Sequence, residues 1–129
     1  MKILVVDDEE FVHLAVAVML ARAAGFELQF ARDGDEALRR VSERGPFDVV
    51  LTDYYHPGLD GLELAKALRE KNPSQGIAMF TGGVPESVEQ SCSDLHIPIL
   101  SKLTDGDDLP AALKKLRKGT TMPPGKKSK

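Results

Sequence analysis

The sequence predicts an α/β protein, a doubly wound (βα)₅ sandwich of three layers built on a parallel sheet ordered 2-1-3-4-5. Three observations lead there. Five short apolar runs alternate with five helix-like segments, the pattern of repeated strand–crossover–strand units. Three of the runs are continuously apolar, as strands covered on both faces must be. The remaining two carry the marks of sheet edges. At 129 residues the chain is long enough for one compact domain and too short for two ordinary ones.

The first run is Ile3-Leu4-Val5-Val6, and a helix from about Glu10 to Ala24 follows it. That helix is apolar around most of its circumference. Phe11, Leu14, Ala15 and Val18 form one stripe, expected to face the sheet, and Val12, Val16, Met19 and Leu20 form another. Strand two, Leu28-Gln29-Phe30, alternates after Glu27, as an edge strand does. Asp33-Gly34-Asp35-Glu36 then opens a helix at capping-box spacing, with Ala37, Leu38 and Val41 as its inner stripe. Val49-Val50-Leu51 is the third strand. Asp60-Gly61-Leu62-Glu63 caps the third helix, which buries Leu64, Ala65 and Leu68 and stops at Asn72-Pro73. Ile77 to Phe80 is the fourth strand, and a helix from near Pro85 carries Val88, Cys92 and Leu95 inward. Ile97-Pro98-Ile99-Leu100 is the fifth; its proline restricts it to an edge. A last helix begins around Asp107 or Asp108, tolerates Pro110 in its first turn and buries Leu113 and Leu116. Edges at strands two and five select the order 2-1-3-4-5. The expected domain spans residues 1–118, with a flexible basic tail over 119–129.

A net charge of −3 argues against a surface built to coat nucleic acid. The single cysteine, Cys92, reads as a packing residue in a reducing compartment. No apolar stretch resembles a leader or reaches membrane-spanning length, so a cytoplasmic protein without membrane contact is expected.

In an open parallel sheet, ligands sit beyond the carboxyl ends of the strands. Asp7 and Asp8 follow strand one, Asp53 follows strand three, Thr81 follows strand four and Lys102 follows strand five. Singly, each has an ordinary reading: a helix cap, a turn residue, a solvated charge. Together they specify a chemistry. Crowded carboxylates need a compensating cation, and hard oxygen ligands without His or Cys favour Mg²⁺. Asp53 can serve as a carboxylate nucleophile toward phosphorus, Lys102 can neutralise phosphoryl oxygens, and the Thr81 hydroxyl can donate to one of them.

These residues resemble those of the receiver domains of bacterial two-component response regulators. The likeness runs over about residues 2 to 117. It rests on Lys2 to Glu9, on Asp33 to Leu38, on Asp48 to Asp53 with Pro57 and Asp60-Gly61, on Thr81-Gly82 and on Ser101-Lys102. It implies a flavodoxin-like fold and a single-domain, chemotaxis-regulator-like phosphoacceptor rather than an enzyme. It also implies roles. Asp53 resembles the acceptor of a phosphoryl group from a histidine kinase or phosphotransferase. Asp8 and Asp7 resemble Mg²⁺ ligands, the latter largely through water, with the backbone carbonyl of Tyr55 and Asp53 itself completing the site. Thr81 resembles the switch hydroxyl and Lys102 its cationic partner. Phosphorylation would then switch contacts with a downstream protein that the sequence does not identify.

The chain departs from the family pattern at three points. Ile99 stands where an aromatic residue is usual, Leu103 follows the lysine in place of proline, and His56-Pro57 replaces Met-Pro. Two other readings follow from what the chain keeps and lacks: a degenerate receiver acting without phosphorylation, and a Mg²⁺-dependent phosphatase with an aspartyl nucleophile. The latter resembles Asp-x-Asp at the first strand, whereas here Asp7 and Asp8 are adjacent. Tyr55 is expected to shield Asp53 from water. His13, His56 and His96 lack ligand spacing, and only His56 falls near the rim. In the family the first helix commonly meets the histidine-bearing helices of the phosphodonor, which makes its second apolar stripe either buried or a docking patch.

Overall fold

The computed structural model describes residues 1–21, 23, 25–102 and 109–119. The strands are β1 (Lys2–Val6), β2 (Glu27–Ala31), β3 (Val49–Thr52), β4 (Gly76–Thr81) and β5 (Ile99–Ser101). The helices are α1 (Glu10–Ala21), α2 (Gly34–Arg44), α3 (Gly61–Lys71), α4 (Glu86–Asp94) and α5 (Leu109–Gly119). All strands pair in parallel in the order β2-β1-β3-β4-β5. The doubly wound expectation holds, edges included.

Strand alternation divides the core. Leu4, Val6, Val50, Ile77 and Met79 point to one face and meet Ala37, Leu64, Leu68, Val88 and Cys92 of α2, α3 and α4. Their neighbours Ile3, Val5, Val49, Leu51, Ala78 and Phe80 point to the other, against Val12, Val16 and Leu20 of α1 and Leu109 and Leu113 of α5. A strand buried on both faces can satisfy this only with continuous apolar sequence, which is what the central strands carry.

Local chemistry sets the ends. Asp60 and Glu63 form a reciprocal capping box at the start of α3. The matching pair in α2 is half formed: Asp33 accepts from the Glu36 N–H, while Glu36 turns to the Arg32 N–H. Strand β5 begins one residue after Pro98, because proline offers no N–H to the ladder; its carbonyl still accepts from Met79 at 2.9 Å.

Helix α1 corrects the sequence reading. Val12, Val16 and Leu20 are the buried face, Val16 fully so, while Phe11 and Leu14 are 68% and 67% exposed and Val18 is exposed too. Ala15 is exposed with them. The stripe expected to face the sheet faces outward. Both stripes are apolar, so periodicity cannot choose between them; packing against β1, β3 and α5 decides. The helix is described to Ala21 rather than Ala24. The predicted start of α5, the Lys102–Leu103 link and the tail after Gly119 lie outside the described residues.

Candidate functional site

The register of the sheet builds the rim. Val6 pairs with both Ala31 and Thr52, and Thr81 pairs with Ser101. The ladder then continues one residue past the strands: Asp7 donates to Ala31, Asp53 to Val6 and Lys102 to Thr81, each at 3.0 Å through backbone N–H groups. Residues 46 and 49 positions apart in sequence are thus set side by side before any side chain acts.

The side chains meet there. Lys102 Nζ lies 2.9 Å from Asp53 Oδ2 and 3.0 Å from Asp7 Oδ2, so one ammonium bridges two carboxylates. Asp7 is 2% exposed. Burial by itself pulls the Lys102 ammonium down, but the hydrogen bonds it donates to Asp53 and Asp7 and their charges outweigh it and hold the group above the ordinary lysine value. The other oxygen of Asp53 faces the Tyr55 N–H at 3.3 Å, and Asp7 Oδ1 accepts from the Glu9 N–H at 3.0 Å.

Other predicted residues stand at the same rim in different roles. Thr81 is buried at the end of β4, its hydroxyl within 3.4 Å of both the N–H and the carbonyl of Gly83 rather than on Asp53. Asp8 is exposed beside Asp7. Among the described residues no three His, Cys, Asp or Glu side chains gather into a metal-ligand group. The Tyr55 ring is exposed and stands edge-on to Tyr54, with centroids 4.7 Å apart. Tyr54 itself is held above the usual phenol range by burial and by the Asp60 carboxylate.

The loop from β3 to α3 closes tightly on the rim. Gly61 donates to the Tyr54 carbonyl at 2.8 Å, and a Cβ at Gly61 would stand 2.6 Å from the Asp53 carbonyl oxygen. No side chain fits there, which gives the Asp60-Gly61 pair a steric cause. Two histidines also adjoin the site: His13 Nε2 lies 2.7 Å from the Asp7 carbonyl and its ring stacks on Phe30, and His56 Nε2 lies 3.0 Å from the Thr52 hydroxyl. Sequence reasoning passed over Thr52; its signal was a hydroxyl ending an otherwise apolar strand.

Comparison with known proteins identifies the family and the fold. Residues 3–114 match the family described as the response regulator receiver domain. The chain belongs to that family. The receiver is 40% identical over 80 residues to the alkaline phosphatase synthesis transcriptional regulatory protein PhoP of Bacillus subtilis, covering 62% of this chain and 32% of that protein. It is 34% identical over 116 residues to the transcriptional regulatory protein ZraR of Escherichia coli O157:H7, covering 88% and 25%. The chain thus spans under half the length of the curated relatives it matches. Among solved structures, the response regulator TrrA of Thermotoga maritima, in complex with Mg²⁺ and BeF, superposes with a TM-score of 0.78 at 31% identity, covering 89% of this chain and 97% of that one. The signal receiver domain of an HD domain-containing protein from Pseudomonas fluorescens Pf-5 gives 0.83 at 26% identity, covering 93% and 96%. Receivers are phosphoacceptor signalling modules rather than enzymes that turn over a separate substrate. No helix among the described residues is long and apolar enough to cross a membrane.

Proposed function

We propose that this receiver takes a phosphoryl group from a phosphohistidine onto Asp53 in a Mg²⁺-dependent reaction and thereby switches its contacts with another protein. The observation that carries the reading is the Lys102 ammonium held between Asp7 and Asp53 at the aligned ends of three strands. An Asp53 oxygen forms the new P–O bond as the P–N bond to the donor imidazole breaks; the departing nitrogen keeps the bonding pair, and it takes a proton from solvent where the other ring nitrogen carries none. Lys102 stays charged through the neutral range and lies within reach of a phosphoryl oxygen on Asp53. Thr81 needs only to exchange its long contacts with Gly83 for one to that oxygen, so the phosphoryl group selects a different arrangement of the β4–α4 loop.

The donor set fits Mg²⁺. Asp7, Asp8 and Asp53 and the Tyr55 carbonyl are hard oxygens, and Mg²⁺ takes one or two carboxylates directly and keeps several waters. When bound, it supplies the positive charge that offsets the crowded acids and the incoming phosphoryl group. The likeness to TrrA, solved with Mg²⁺ and BeF, supports this assignment.

A histidine kinase or phosphotransferase is the donor class. The exposed Phe11, Leu14 and Val18 stripe lies on the helix that follows Asp7 and offers an apolar seat beside the rim for a donor helix. Acetyl phosphate with Mg²⁺, followed by intact mass, tests the reaction. A gain of one phosphoryl group that Asp53→Asn abolishes is expected. An unmodified parent chain would leave the degenerate, phosphorylation-independent receiver as the better description.

A further inference from the structure

The last residue of β3, Thr52, is fully buried, yet it carries a hydroxyl in a strand of Val and Leu. That hydroxyl has two neighbours: the Asp53 carbonyl oxygen at 2.8 Å and His56 Nε2 at 3.0 Å. A hydroxyl has one proton and can also accept. If it donated to His56, it would face the Asp53 carbonyl oxygen with no proton between them. Both contacts are satisfied only when Thr52 donates to the carbonyl and His56 donates to Thr52 from Nε2–H. This settles the tautomer from neighbouring chemistry. It also leaves His56 Nδ1 as a buried atom with no partner among the described residues. Unpaired buried polar atoms are costly and rare in native structures.

The same three residues span the acceptor. Thr52 precedes Asp53, His56 follows Tyr55, and the Gly61 N–H holds the intervening Tyr54 carbonyl at 2.8 Å. The relay from His56 through Thr52 to the Asp53 carbonyl therefore closes the loop across its mouth, while the Gly61 contact closes it from the α3 side. Asp53 and Tyr55 both belong to the short segment that the Thr52–His56 contact brackets in sequence.

We propose that Thr52 and His56 act as one positioning pair for the acceptor loop, presenting the Tyr55 carbonyl and the Asp53 carboxylate to the metal without touching it themselves. The inference rests on the Mg²⁺ reading of the site given above. Supporting groups outside the ligands of a metal site commonly control its affinity by about tenfold or more. A pair acting through one hydroxyl must also behave as a unit, so removing either partner removes the effect of both.

The experiment is a Mg²⁺ titration of the full chain read by tyrosine emission, since both tyrosines, Tyr54 and Tyr55, directly follow Asp53 and tryptophan is absent. Thermal unfolding without Mg²⁺ is measured alongside. Thr52→Val and His56→Ala are each expected to weaken Mg²⁺ binding by about tenfold, and the double variant no further. Thr52→Ser and His56→Gln, which keep a hydroxyl and an N–H donor, should bind close to the parent. Should Thr52→Val not fold, the contrast between His56→Ala and His56→Gln carries the test, because His56 is only partly buried. Parent-like Mg²⁺ affinity in the folded single variants, with only the unfolding midpoint lowered, overturns the positioning role; so do losses that multiply in the double variant. A parent chain that shows no response to Mg²⁺ overturns the metal reading itself, a result distinct from either.

Discussion

The two ends of the sheet treat their polar groups in opposite ways. At the amino end of the strands, Gln75, Arg69 and Lys2 are each matched to fixed partners. The buried Gln75 amide donates to the Phe47 and Gly76 carbonyls, both at 3.0 Å. Arg69 donates to the Gln75 and Leu95 carbonyls at 2.8 and 2.6 Å, and the Lys2 N–H meets Asp48 at 2.7 Å. At the carboxyl end, two acids share one ammonium, and the Thr81 hydroxyl has only long contacts among the described residues. One end satisfies the backbone with geometry that has no reason to change. The other concentrates charge that a ligand can redistribute. The same ladder supports both, so the difference lies in which residue types follow and precede the strands.

This contrast can be broken by substitution. The largest effect is expected at the rim: Lys102→Ala should slow phosphoryl uptake from acetyl phosphate by about a hundredfold or more, as loss of a preorganised charge partner does. Rates followed by intact mass check it, and a parent-like rate would move the catalytic weight elsewhere. At the opposite end, Gln75→Ala removes the two hydrogen bonds that its amide donates to buried carbonyls and should cost about 1–3 kcal/mol in urea unfolding. Uptake by the folded fraction should match the parent; slowed chemistry there would erase the distinction between the two ends.

A smaller effect tests the docking face. Phe11→Ser with Leu14→Ser should reduce phosphotransfer from the cognate histidine kinase by about tenfold, roughly 1.4 kcal/mol. Acetyl phosphate chemistry and the unfolding midpoint should stay unchanged, because neither ring nor chain supports the core. Val16→Asp on the other side of the same helix should instead unfold much of the protein, since it buries an unpaired charge.

The smallest effect is in pH. The folded Lys102 sits above its ordinary value near 10.5, so its contribution to stability is complete below that pH and fades as pH rises through the folded value. The stability difference between the parent and Lys102→Met should therefore be flat from neutral pH to about 10 and shrink beyond it. A difference that already shrinks near neutrality would contradict the ion-pair geometry.

Much of this was legible in one dimension. Continuous apolar runs announced the central strands, while Pro98 and the alternation around Gln29 marked the edges. The acids, threonine and lysine after those runs located the rim, because strand ends in a parallel sheet converge whatever the intervening loops do. The Asp60–Glu63 cap was equally plain, since a capping box depends on residues three apart. By itself, then, the sequence determined the topology and the set of groups offered at one end of the sheet, both consequences of local pattern and chain order.

Only the tertiary structure decided orientation and pairing. Which apolar stripe of α1 turns inward depends on the surfaces of β1, β3 and α5, and two hydrophobic faces carry no local preference. That Lys102 bridges Asp7 and Asp53, while Asp8 stays exposed, depends on distances across strands. The link from His56 through Thr52 to the Asp53 carbonyl appears only once the loop folds back on its own strand. Period and order are properties of the chain, whereas a contact is settled by everything that competes for the same space.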